Sequence, residues 1–145
     1  MARPILETTL SVGGVPFTLF NNHWKSGASS KEMESHRLQN AQTLRNRIDE
    51  ITKRNPFADF LVGGDLNSHY NQSTVYAKDM PKTGINDVLL SHNLEPAGRT
   101  IAPKLYNLWH ELPHDQRGSD AWRGNWGTLM PVSYTHLRAH ETSEN

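Results

Sequence analysis

Apolar positions repeat with a period of two near the start of the chain and with a period of three to four just after it. Residues 5–11 and 15–22 are rich in β-branched and aromatic side chains and flank Gly13-Gly14, a dipeptide suited to a turn that needs positive φ. The pattern predicts two antiparallel strands. The second points Val15, Phe17 and Leu19 to one face and ends in a polar cluster, Asn21-Asn22-His23-Trp24-Lys25-Ser26. Leu38, Ala41, Leu44, Ile48 and Ile51 then recur at helical spacing, and Ser29 with Glu32 has the spacing of a capping box, which predicts a helix over 31–53. Asn55-Pro56 ends it. Phe60-Leu61-Val62 reads as a short buried strand stopped by Gly63-Gly64. Farther on, Asp87-Val-Leu-Leu suggests a short helix, while Trp122-Arg-Gly-Asn-Trp126 lies among turn residues. The order strand, strand, helix, strand predicts an α/β layer.

Composition narrows this picture. A chain of 145 residues has the size of one domain, and an apolar fraction of 35% with mean hydropathy of -0.69 predicts a thin core. Fifteen basic residues balance fifteen acidic ones, so a nucleic-acid substrate would need a local patch rather than a whole-chain field. The lack of cysteine excludes a disulfide framework, a thiolate zinc site and a cysteine nucleophile. It leaves the redox compartment open. No apolar run approaches a membrane span, and Met1-Ala-Arg-Pro leads straight into an amphipathic segment with no signal-peptide pattern.

Two clusters could carry chemistry. Gly63-Gly64-Asp65-Leu66-Asn67 sets an acid and an amide two apart at the end of a buried strand, so both can project into a cleft. A carboxylate there can orient or deprotonate water or hold a hard divalent cation, and the amide can bind metal or phosphate. The same sequence also fits an Asx-turn that merely ends a strand. His23 could protonate a leaving oxygen, with Lys25 beside it to neutralise phosphate, or could be an ordinary strand-end histidine. Arg37 shares a helix face with Ala41 and Leu44, which favours a buried structural arginine. His136 and His140 have zinc-finger spacing without cysteines to complete it, and His69, His92, His110 and His114 form no ligand pattern. Asn71-Gln-Ser73 is a bare glycosylation sequon.

Taken together, His23-Trp-Lys-Ser26, Arg37-Leu-Gln-Asn-Ala41 and Gly64-Asp65-Leu-Asn67 stand in an order that resembles the endonuclease/exonuclease/phosphatase (DNase I-like) superfamily. Trp122-Arg123-Gly124-Asn125-Trp126-Gly127-Thr128-Leu129 resembles its bacterial branch, where Leu-Asp-His should follow; here Met130-Pro131 stands instead. From there Val-Ser-Tyr-Thr-His-Leu-Arg-Ala-His-Glu-Thr resembles a translated cloning or sequencing adaptor. The resemblance therefore implies a partial family domain over 1–130, incomplete at both ends, and a non-native tail over 131–145. Its implied fold is a partial four-layer α/β/β/α sandwich.

The resemblance implies a divalent-metal-dependent phosphoesterase, with a nuclease slightly favoured, acting on a phosphoester substrate such as nucleic acid. It makes His23, Asp65 and Asn67 the catalytic residues, and Asp65 and Asn67 ligands of Mg²⁺ or of Mn²⁺ or Ca²⁺. Lys25, Arg123 and Trp126 would line the substrate groove. The family's upstream Asn and Glu and its terminal Asp-His pair are missing, so little or no turnover is expected of this polypeptide and an exposed sheet should make it aggregation-prone. Cysteine-free, Trp-rich relatives are often exported, which leans toward an exported bacterial parent. The reading from another class is a non-catalytic module that uses Trp24, Trp109, Trp122 and Trp126 as stacking platforms for carbohydrate or single strands.

Overall fold

The computed structural model describes residues 2–92 and 103–135; His136 and His140 lie outside the described residues. Strands β1 (Leu6–Val12) and β2 (Val15–His23) form the expected antiparallel hairpin, with Gly13 and Gly14 at φ of 57° and 81° in its turn. Two successive positive φ values match the right-handed twist of the flanking strands, and glycine adopts them without steric cost. Helix α1 (Lys31–Arg54) follows the predicted span. Its N-cap is Ser30, whose side chain accepts from the Met33 backbone N–H, one position beyond the serine expected from the capping-box spacing. Strand β3 (Phe60–Asp65) then runs parallel to β2, so α1 is the crossover that a parallel pair requires.

Helix α2 (Gln72–Val75) and a π-helical turn at Gly84–Val88 come next, the turn standing where a short α-helix around Asp87 was expected. Strands β4 (Ser91–His92), β5 (Leu105–Asn107) and β8 (Ser133–Tyr134) complete a six-stranded sheet in the order β1-β2-β3-β8-β5-β4. Strands β6 (Asp120–Trp122) and β7 (Asn125–Gly127) form a separate hairpin. The α/β layer predicted from sequence is present.

One face of the sheet is closed. Phe20, Phe60, Val62 and Leu105 are buried in one cluster with Ala41, Leu44 and Ile48 of α1, and with Ile85 and Leu89 from the π-helical turn and its exit. Each of the larger side chains stabilises the fold by about 1.5–3 kcal/mol relative to exposure. The turn approaches α1 so closely that a Cβ on Gly84 would lie 2.9 Å from the Arg37 carbonyl oxygen. The opposite face carries Leu6, Leu10 and Val12, all exposed, and the half-buried Val15, Phe17, Leu19 and Leu61. The apolar face of β2 picked out by its alternation is thus the open one. The closed face of β2 carries Phe20 and Asn22 instead.

Two expectations need correction. Gly63-Gly64 does not stop β3: the strand continues through both glycines to Asp65, paired with Asn21, Asn22 and His23. Gly64 has φ of 109°, and a Cβ there would lie 2.2 Å from the Asn22 carbonyl oxygen, so glycine permits the close pairing rather than breaking it. Trp24 is not an accessible stacking platform. It is fully buried, and its Nε1–H donates to Asn22 Oδ1 at 3.0 Å.

The sheet also takes in residues after Met130. Ser133 and Tyr134 pair with both β3 and β5, the Ser133 hydroxyl lies 2.8 Å from that of Ser91, and Phe60 N–H donates to Thr135 Oγ1 at 2.8 Å.

Candidate active site

The parallel register of β2 and β3 brings the two sequence clusters together. His23 pairs with Asp65 at the C-terminal ends of the strands, where side chains leave the sheet into solvent. Their side chains point to the open face of the sheet, on the same side as Leu19 and Leu61. His23 Nε2 stands 3.9 Å from Asp65 Oδ2, with side-chain exposures of 66% and 38%. Both line an open depression of about 520 Å³ with Pro4, Leu6 and Asn21.

Asn67 has φ of 48° and is buried. Its backbone N–H donates to Asp65 Oδ1 at 2.9 Å and its Nδ2 to the Trp24 carbonyl at 3.1 Å. The first bond is the Asx-turn that the sequence allowed. It occupies one carboxylate oxygen and leaves Oδ2 turned toward His23. The second bond ties the exit of β3 to the exit of β2, a tie repeated by Trp24 N–H donating to the Asp65 carbonyl at 2.8 Å. The turn and the functional reading are therefore compatible in one geometry.

A buried charge network fixes the segment after His23. Arg37 is fully buried, as its helix position suggested, and its Nε donates to Glu34 Oε2 at 2.6 Å. Its other nitrogens donate to the carbonyls of Lys25, Gly27, Ala28 and Ser30. Gln72 Nε2 holds the Ala28 carbonyl as well, at 2.6 Å, and Glu34 Oε1 accepts from Gly84 N–H at 2.7 Å. A loop with this many captured carbonyls has little freedom left.

The segment after Asp65 is joined to the residues that follow the β6–β7 hairpin. Leu66 N–H donates to the Leu129 carbonyl, and Thr128 N–H donates to His69 Nδ1 at 3.4 Å. Burial, with the Arg37 charge adding to it, holds the His69 imidazole below its ordinary value. Between loop 26–29 and the hairpin lies a cleft of about 660 Å³, within the range of small-molecule sites. Trp122 and Trp126 line it, exposed by 70% and 72%, with His69, Tyr76, Asp120 and Asn125 at its margins. Of the three substrate-groove candidates, Trp126 lines this cleft, Lys25 immediately precedes its loop wall, and Arg123 forms the hairpin tip. His69 carried no sequence signal beyond standing two residues after Asn67.

Among the described residues no group of three or more His, Asp or Glu side chains could hold a metal ion. Asp65 and Asn67 offer one carboxylate and one amide oxygen. These are hard donors of the kind Mg²⁺ takes, and it usually completes its shell with phosphate oxygens and waters. The pair fits such an ion as part of its shell. Among the described residues no helix is long and apolar enough to cross a membrane.

A model of the Endonuclease/Exonuclease/phosphatase family matches residues 1–139. No curated protein matches the chain. Among solved structures, truncated TDP2 of Caenorhabditis elegans is similar with a TM-score of 0.57 and 16% identity, over 92% of this chain and 47% of its own. The human Nocturnin catalytic domain with bound sulfate anion gives 0.52 and 18%, over 90% and 40%. A variant of beta toxin from Staphylococcus aureus with bound magnesium ions gives 0.50 and 14%, over 88% and 40%. The chain thus spans less than half the length of these structures. At such identities the likeness concerns the fold, and the sheet with its α1 layer is part of a DNase I-like architecture.

Proposed function

The chain belongs to the endonuclease/exonuclease/phosphatase family, and from that premise we propose that it is part of a divalent-metal-dependent phosphoesterase, with a phosphodiester as substrate. The observation that carries the reading is the register match of His23 and Asp65 on adjacent parallel strands, with Asn67 locked beside them. The sulfate and magnesium bound by two of the similar structures are ligands of those proteins, and they support an anion and a hard cation as the groups to test here.

In this arrangement Asp65 Oδ2 accepts a proton from, or orients, the attacking water, while the Asn67 N–H on Oδ1 fixes the carboxylate plane. His23 donates toward the leaving oxygen or a phosphate oxygen from the same open face. Asp65 and Asn67 would hold the cation, which when bound lowers the pKa of a ligand water and neutralises phosphate charge. A single carboxylate is weak support for Mg²⁺, so we expect this polypeptide alone to turn over slowly or not at all. Nuclease action stands ahead of lipid or sugar phosphatase action because of the stacking residues along the neighbouring cleft, and an exported bacterial parent remains part of the proposal.

The test is hydrolysis of bis(p-nitrophenyl) phosphate by the full reading frame containing this chain, with and without Mg²⁺. Activity should need the cation, and Asp65→Asn should lower it by about 10²–10⁴-fold, the range for loss of a positioned acid or base. Hydrolysis that ignores both the cation and Asp65 would overturn the proposal.

A further inference from the structure

We propose that the cleft between loop 26–29 and the β6–β7 hairpin is a subsite for an unstacked nucleobase of a single-stranded nucleic acid, with the Trp122 indole as its platform. The inference deepens the phosphoester reading and rests on it for the neighbouring phosphate. The hairpin turn uses Arg123 and Gly124, both at positive φ, which fixes its tip tightly. Strand pairing then sets Trp122 opposite Asn125 and Asp120 opposite Gly127, all on one face of the hairpin. Trp126 belongs to the other face and packs over Gly118, where an added Cβ would lie 2.9 Å from its ring. Both tryptophans are mostly exposed; Trp126 leans on Gly118, and Trp122 shares its face with Asp120 and Asn125.

Three features make the Trp122 slot suited to a base. The Arg123 guanidinium lies 5.6 Å from the centre of the Trp122 ring, a cation–π contact that steadies the indole. The facing wall is preorganised by the Arg37 and Gln72 hydrogen bonds to loop 26–29, so closing on a planar ring costs little loop entropy. The margins carry a carboxylate on Asp120 and an amide on Asn125, which match the exocyclic amine and ring acceptors of a cytosine or adenine edge. In the chain, loop 26–29 follows His23, and Leu129 and Thr128, just past the hairpin, are bonded to Leu66 and His69 of the segment after Asp65.

Fluorescence anisotropy of a short labelled oligodeoxycytidylate, titrated with the 145-residue chain, tests this against an abasic oligomer of equal length and a cello-oligosaccharide competitor. Stacking predicts that Trp122→Ala weakens binding about tenfold, that Trp122→Phe retains most of it, and that the abasic oligomer binds as poorly as Trp122→Ala. Because Trp122 is mostly exposed, both variants should keep the parent far-UV circular dichroism. Equal binding of the abasic oligomer, or no effect of Trp122→Ala, overturns the subsite. So does displacement by the cello-oligosaccharide without binding of the oligonucleotide, which would make the hairpin a sugar platform. Binding through Trp122 in Asp65→Asn, alongside a full reading frame that hydrolyses nothing, would support the subsite while refuting the phosphoester reading.

Discussion

The two faces of the six-stranded sheet behave as different materials. Beneath α1, Phe20, Phe60, Val62 and Leu105 are buried against aliphatic residues of the helix, and buried polar pairs such as Glu34 with Arg37 and Asn107 with Ser91 are hydrogen-bonded. On the other side, Leu6, Leu10 and Val12 lie open, and His23 and Asp65 stand at the strand ends of that same open face. The difference teaches that the closed face supplies the packing, while the open face presents the residues proposed for chemistry. The two should respond to mutation independently.

The largest expected effect comes from the closed face. Phe60→Ala should cost about 3–5 kcal/mol in urea denaturation, the usual result of emptying an aromatic site in a packed core. A cost below about 1 kcal/mol would mean that the α1 face is not the core. Arg37→Met should be nearly as severe, about 3–5 kcal/mol, because it leaves Glu34 buried without its partner and strips the loop carbonyls of their donor. That variant also probes the cleft: if loop 26–29 relaxes, oligonucleotide binding should fall before the chain unfolds.

A gentler probe is pH. Burial is the main cause that holds His69, His92 and His110 below the ordinary histidine value of about 6.5. As pH drops below that value, the unfolded chain binds protons that the folded chain does not, so stability should decline with falling pH in that window and level off above about 7.5. Melting temperatures at about pH 5.5 and 7.5 measure this, and an increase on acidification would contradict it. The smallest stability change is expected on the open face. Leu10→Ala should stay within about 0.5 kcal/mol of the parent, while the pair Leu10→Lys and Val12→Lys should reduce light scattering at high concentration by breaking up exposed apolar surface on the edge strand.

Local pattern carried much of this protein. The Gly13-Gly14 hairpin, the span of α1 and the burial of Arg37 were legible because each depends on residues near in sequence: turn glycines, a repeat of three to four, and a shared helix face. The placement of Asp65 and Asn67 at a strand end was legible for the same reason. The continuation of β3 through Gly63-Gly64 was not, since glycine's usual part as a strand breaker was overridden by the close approach of Asn22 from the neighbouring strand. Trp24 lay in a polar cluster that spoke for exposure, yet the bond from its Nε1 to Asn22 made burial possible.

By itself, then, the sequence determined which residue types could do phosphoester chemistry and which local elements present them. Only the tertiary structure decided that His23 meets Asp65 across a parallel register, that His69 and Trp122 share a cleft, and that one face of the sheet stays open. Those facts depend on pairings between residues tens of positions apart, where the winning arrangement is set by the sum of packing and hydrogen bonds over the whole fold and no local period reports it.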